Sequence, residues 1–153
     1  MSLADYALQV AIQMENLGRT FYKSLASGSG NAAVSILANK LAGEEEKHMK
    51  VFEDMRNLLP ADERGPKMTE DQIAATAGKF YKLILPSPEE VRQVAVSGDA
   101  KGILKLAMQM ESDSIAYYSN MVSTVGSSVG VLKAVIKEEE KHLAILREIR
   151  NRF

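Results

Sequence analysis

The pentapeptide EEEKH occurs at Glu44–His48 and again at Glu138–His142, and these two copies hold both histidines of the chain. Each copy lies in a stretch whose apolar residues recur at steps of three and four, the period of one helix face. Val34, Leu37, Leu41, Phe52, Met55 and Leu59 form one such stripe, and Glu45 and His48 fill the two positions in its middle. Leu132, Val135, Leu146, Ile149 and Phe153 form the other, interrupted in the same way by Glu139 and His142. These acidic and imidazole groups are therefore in phase with the core.

The pentapeptide belongs to a larger internal repeat. Met14-Glu15 and Phe21-Tyr22 return 96 positions later as Met110-Glu111 and Tyr117-Tyr118, and the segment from Leu41 to Asn57 returns 94 positions later from Val135 to Asn151. The first segment carries the stripe Ala4, Leu8, Ala11, Glu15, Gly18, Tyr22, Leu25, and its repeat the stripe Leu104, Ala107, Glu111, Ser114, Tyr118, Met121, Val125. Each half thus reads as a helix hairpin with one Glu on its first helix and Glu-x-x-His on its second. Two such hairpins joined by a long connection predict an all-α four-helix bundle with approximate two-fold symmetry, formed by residues 1–153 as one domain.

The long helices are expected at about 4–26, 32–59, 100–125 and 129–152. Their stop signals are Ser27-Gly28-Ser29-Gly30, Pro60 and Gly126. Residues 60–99 read as a partly helical crossover, with short helices opening at Thr69, where Gln72 is the capping-box partner, and at Ser87-Pro88-Glu89-Glu90.

Four carboxylates and two imidazoles in one apolar layer are destabilising unless they are paired or bind metal. Two divalent cations would balance the four negative charges, and an oxygen-rich, nitrogen-poor ligand set suits iron or manganese. The competing reading of EEEKH is a solvated charge run making i to i+4 pairs. It serves for one copy; two copies in phase, each with a matched Glu partner, argue for the metal. Composition narrows the setting further. The 153 residues include 19 basic and 20 acidic ones with no basic run, which argues against nucleic acid as a partner. No stretch approaches the run of about 18 apolar residues that spans a bilayer, and no leader pattern opens the chain, so a cytoplasmic location is expected. Without cysteine there is neither a disulfide nor a thiolate site.

Glu15, Glu45-x-x-His48, Glu111 and Glu139-x-x-His142 resemble the di-iron carboxylate pattern of the ferritin-like superfamily, and the resemblance covers all four long helices. Within that superfamily the chain most resembles the rubrerythrin-type proteins, through its EEEKH repeats and helical crossover. The resemblance implies two iron ions, or manganese in their place, bridged by Glu45 and Glu139. Glu15 and His48 would complete one position, Glu111 and His142 the other. It also implies an oxidoreductase acting on hydrogen peroxide or oxygen. Two departures stand out: Ser114 replaces the second acidic residue that rubrerythrins commonly carry one turn after the helix-three Glu, and a chain without cysteine cannot contain a rubredoxin module. The first puts redox-linked ligand switching in question, and the second implies a separate electron donor such as a rubredoxin.

Peroxide reduction is the favoured activity, with ferrous oxidation for iron storage as the alternative. The sequence reaches only eleven residues past His142, short of the fifth helix of cage-forming ferritins. Dimanganese catalase chemistry and a metal-free structural bundle are the remaining readings. Tyr22 and Tyr118 are the candidate catalytic residues, two turns beyond Glu15 and Glu111, to hydrogen-bond ligand carboxylates, donate electrons, or serve only as core aromatics. Glu44 and Glu138 are expected either to orient the histidines or to face solvent. The eight methionines read as core filling, and no haem is assigned. Helix one carries Val10, Met14, Leu17 and Phe21 beside the metal stripe, which leaves Asp5, Gln9, Gln13, Asn16, Thr20 and Lys23 as a narrow polar edge. That apolar surplus predicts a homodimer through helix one.

Overall fold

A computed structural model describes residues 2–28, 30–73, 75, 88–97, 99–123 and 129–151. Five helices are delimited: α1 (Leu3–Gly28), α2 (Ala32–Asn57), α3 (Pro88–Val96), α4 (Ala100–Met121) and α5 (Val129–Arg150). α1 pairs with α2 and α4 with α5, giving the two hairpins, and α1 also packs on α4 and on α3 of the crossover. The molecule is a four-helix bundle.

Local chemistry accounts for the boundaries. Asn31 caps α2, its Oδ1 accepting from the amides of Ala33 and Val34 at 2.9 and 3.2 Å. α2 ends at Asn57, two residues before the expected Leu59: Leu58 caps it with helical dihedrals, and Leu59, directly before Pro60, is disfavoured from continuing the helix. Thr69 and Gln72 form the expected capping box, each side chain accepting from the other's amide at 3.1 and 2.9 Å. α3 opens at Pro88, where a missing N–H costs nothing. α4 ends at Met121 rather than near 125. The expected signals at Ser29, Ser87 and Gly126, and the stripe ends Val125 and Phe153, lie outside the described residues.

The core has two apolar layers. One gathers Leu8, Val10, Met14, Phe52, Met55, Tyr118, Met121 and Leu132. The other gathers Leu17, Phe21, Tyr22, Leu41, Leu104, Ala107 and Leu146. On every long helix the passage from one layer to the other occurs at a repeat carboxylate: between Met14 and Leu17, Leu41 and Phe52, Ala107 and Tyr118, Leu132 and Leu146. The repeat therefore places its polar residues in a single slab between two hydrophobic ones.

Helix one departs from its expected polar edge. Asp5, Gln9 and Gln13 are buried together with Val10, Met14, Leu17 and Phe21. The start of the crossover covers them: Gln9 Nε2 donates to the Pro66 carbonyl at 3.2 Å, and its Oε1 accepts from the Met68 amide at 2.8 Å. Val10, Met14, Leu17 and Phe21, the apolar residues that suggested a helix-one dimer, are thus buried within the chain itself. Sequence periodicity missed this because a 40-residue connection with weak patterning does not reveal where it lies.

Asp5 holds this end together. It accepts from Arg56 Nε at 2.5 Å, from the Gly65 amide at 3.0 Å and from Gln9 Nε2 at 3.1 Å. Burial pushes its pKa up, but these donors outweigh burial and hold the carboxyl below its ordinary 3.8. Asp5→Ala strands Arg56 without its partner in a mostly buried place, and about 3 kcal/mol of stability should be lost in a denaturant titration. Because the folded pKa is depressed, the stabilisation from this carboxylate is present above 3.8 and disappears as pH falls through the folded value. The difference between wild type and variant should therefore shrink in strong acid.

Candidate metal centre

Glu15 on α1, Glu45 and His48 on α2, Glu111 on α4, and Glu139 and His142 on α5 meet in the polar slab, none more than 4 % exposed. Their ligand atoms form two groups: Glu15, Glu45, His48 and Glu139 in one, and Glu45, Glu111, Glu139 and His142 in the other, with all atoms of a group within 4.8 Å of one another. Glu45 and Glu139 belong to both. Each group could hold one metal ion, and the two groups share these two carboxylates.

The hydrogen bonds around the slab cross between hairpins. Tyr22 Oη donates to Glu111 Oε1 at 2.7 Å, and Tyr118 Oη donates to Glu15 Oε1 at 2.5 Å. His48 Nδ1 donates to Glu139 Oε1 at 2.8 Å and Nε2 to Glu138 at 2.5 Å. His142 Nδ1 donates to Glu45 Oε1 at 3.1 Å, and its Nε2 bonds Glu44. The two imidazole rings face each other at 6.1 Å between centroids, tilted by 21°. Each histidine thus turns Nδ1 toward the carboxylate slab and anchors Nε2 on an outer glutamate, which sets ring orientation and tautomer once Nδ1 binds a cation.

Both outer glutamates bond a histidine, as expected of residues that orient it, while Glu138 is at the same time exposed, as the other expectation had it, and Glu44 is only partly so. The pairing is less obvious. Glu44 and His48 are four apart on one helix, a spacing that favours an in-helix pair, yet Glu44 reaches His142 and Glu138 reaches His48. Nothing in either segment signals the exchange, because it depends on how the hairpins dock.

The carboxylate chemistry fits a metal pair. Oε2 of Glu15, of Glu111 and of Glu139 is buried without a hydrogen-bond partner, a costly state that a bound cation would relieve. Burial and the charges of Glu15, Glu111 and Glu139 raise the Glu45 pKa far above its ordinary value. Burial and Glu139 push Glu111 up to about 8. Burial works against a charged His48 and His142, but the surrounding carboxylates overcome it and raise the two to about 11 and about 10. For Glu15, the neighbouring Glu45 and the His48 imidazolium, whose Nδ1 lies 3.5 Å from Oε2, outweigh burial and hold the pKa down. Without metal, protons on Glu111 and both imidazoles offset much of the slab's negative charge.

The structure brings together all six residues expected as ligands, and it sets both expected tyrosines on ligand carboxylates. No described helix is long and apolar enough to cross a membrane.

The sequence model of the rubrerythrin family matches residues 7–150. A solved structure from Thermotoga maritima, described as a ferritin-like diiron-carboxylate protein, superposes with a TM-score of 0.76 at 26% identity, covering 99% of this chain and 95% of its own. No curated protein matches the chain.

Proposed function

The chain belongs to the rubrerythrin family, and from that premise we propose that it is a di-iron oxidoreductase, a single ferritin-like unit that reduces hydrogen peroxide with electrons from a separate donor in the cytoplasm. The observation that carries this reading is the pair of buried ligand groups sharing Glu45 and Glu139. Bound there, two ferrous ions would supply the two electrons that cleave the O–O bond, so that one peroxide and two protons give two waters. Glu15 and His48 would hold one ion, and Glu111 and His142 the other.

The residues around the ligands have separable tasks. Tyr22 and Tyr118 keep their protons, since burial and nearby carboxylates raise their pKa, and so remain donors that fix Glu111 and Glu15. Glu138 and Glu44 aim the imidazoles. The apolar layers on either side exclude bulk water and strengthen every electrostatic contact between them. Burial also favours peroxide over repeated ferrous oxidation. A small neutral oxidant crosses an apolar wall at far lower desolvation cost than a stream of divalent ions. With no cysteine in the chain, re-reduction falls to an outside carrier such as a rubredoxin.

Anaerobic stopped-flow mixing tests the reading. Diferrous protein is expected to consume about one peroxide per site, faster than it consumes oxygen, and then to stall until reduced rubredoxin or a chemical donor is added. Tyr22→Phe and Tyr118→Phe should slow this single turnover. Continuous oxidation of excess ferrous iron without any donor, at a rate no lower than the peroxide reaction, would replace the proposal with ferroxidase activity.

A further inference from the structure

The repeat that builds the centre is broken at one position inside it. Gly18 lies one turn after Glu15, and its counterpart 96 positions on, one turn after Glu111, is Ser114. Both are buried on the stripes that face the slab. Gly18 stands in the middle of the 26-residue helix α1, far from any turn or cap. Glycine is a poor choice for a helix interior, so local conformation does not account for it. Its surroundings do. A Cβ built on Gly18 would lie 3.2 Å from Glu45 Oε2, 3.4 Å from its Cδ and 3.5 Å from its Cγ. The carboxylate of Glu45 rests directly on the α1 backbone, in space that any other side chain would occupy.

We propose that Gly18 is a positioning residue for Glu45, and that the exchange of glycine for serine between the two hairpins makes the centre unsymmetrical, with its two metal positions differing in affinity. The inference rests on the di-metal reading above. Glu45 is shared by both ligand groups, so where its carboxylate lies affects both positions. A methyl group at 18 forces that carboxylate a few tenths of an ångström away from α1 and into the slab. There it meets the Nδ1 of His142, now at 3.1 Å, and the carboxyl groups of Glu15, Glu111 and Glu139 packed in the same layer. No such adjustment is available by moving the glycine, since a helix backbone flanked by the buried Leu17 and Phe21 has nowhere to go. On the other hairpin the corresponding site already carries a Cβ and a hydroxyl. α4 therefore offers no bare backbone of the kind that α1 presents at Gly18.

Ferrous ion alone, titrated anaerobically by calorimetry with near-infrared circular dichroism of the bound ions, is the probe. Wild type is expected to bind two ions in two resolved steps with two sets of ligand-field bands. Gly18→Ala should weaken at least one step fivefold or more and shift its bands, while the metal-free protein stays folded, since the helix propensity of alanine offsets part of the cost of moving Glu45. Ser114→Gly, which opens the matching space beside α4 and restores the repeat, should bring the two steps closer together without weakening both. A purely packing role would lower the metal-free melting temperature and leave the bands in place, and that result overturns the inference. So do wild-type steps and bands in Gly18→Ala, or equal weakening in both variants. Wild-type protein that binds no pair of ions overturns the di-metal reading and this inference together, whereas a normal wild type beside an unaltered Gly18→Ala overturns the inference alone.

Discussion

Glu139→Ala is expected to leave a folded chain that no longer holds a coupled metal pair. Glu139 is fully buried, belongs to both ligand groups, and accepts from His48 Nδ1 through Oε1 while Oε2 lies 3.6 Å from His142 Nδ1. Its removal takes a ligand from both positions at once and frees His48 from its acceptor. Groups that only support a ligand typically contribute about 10- to 100-fold to metal affinity, so the loss of a shared ligand should exceed about a hundredfold. Ferrous binding should fall from two ions to one or none, and the oxidised protein should show no magnetically coupled pair. Glu45→Ala should behave alike. Glu140→Ala is the control: it removes a carboxylate from the same pentapeptide at an exposed position and should leave both ions bound. Two ions retained in Glu139→Ala with their coupling intact would refute the shared-ligand assignment.

Metal affinity should rise steeply with pH, and the stability of the metal-free protein should move the other way. In the metal-free slab His48 and His142 titrate at about 11 and about 10, Glu111 at about 8, and Glu45 is strongly raised. At neutral pH the two histidines and Glu111 hold protons that cations must displace, and each proton released contributes about a factor of ten in affinity per pH unit. If only two leave, loading should weaken about a hundredfold for each unit of acidification near neutrality. The metal-free fold responds oppositely because every one of these shifts is upward. For the histidines, the stabilisation is complete below the ordinary 6.5 and is lost as pH rises through about 10 to 11. For Glu45 and Glu111, the unfolded chain ionises above the ordinary 4.5 while the folded chain keeps its protons, so stability falls between 4.5 and, for Glu111, about 8. Ferrous titrations across neutral pH, with proton release followed in weak buffer, test the first trend. Thermal melts of metal-free protein test the second. Affinity independent of pH would count against ligation by the histidines and by Glu45 and Glu111.

The sequence by itself determined the bundle, its two hairpins and the six residues of the slab. The reason is that helix periodicity is a local property: steps of three and four fix which residues share a face, and Glu45, His48, Glu139 and His142 are in phase with leucines and valines whatever surrounds them. The internal repeat then pairs each Glu-x-x-His with its Glu on the neighbouring helix. What depends on contacts between distant segments was decided only by the tertiary structure. The same residue types could have paired Glu44 with His48 along α2, but docking of the hairpins sends Glu44 to His142 and Glu138 to His48. Asp5, Gln9 and Gln13 read as a solvent edge until the crossover, whose path no short-range pattern encodes, covers them. Gly18 looks like a weak point in a helix until Glu45 is found lying against it. Faces follow from spacing along one chain segment, whereas partners follow from which faces meet, and that is settled by packing the whole molecule at once.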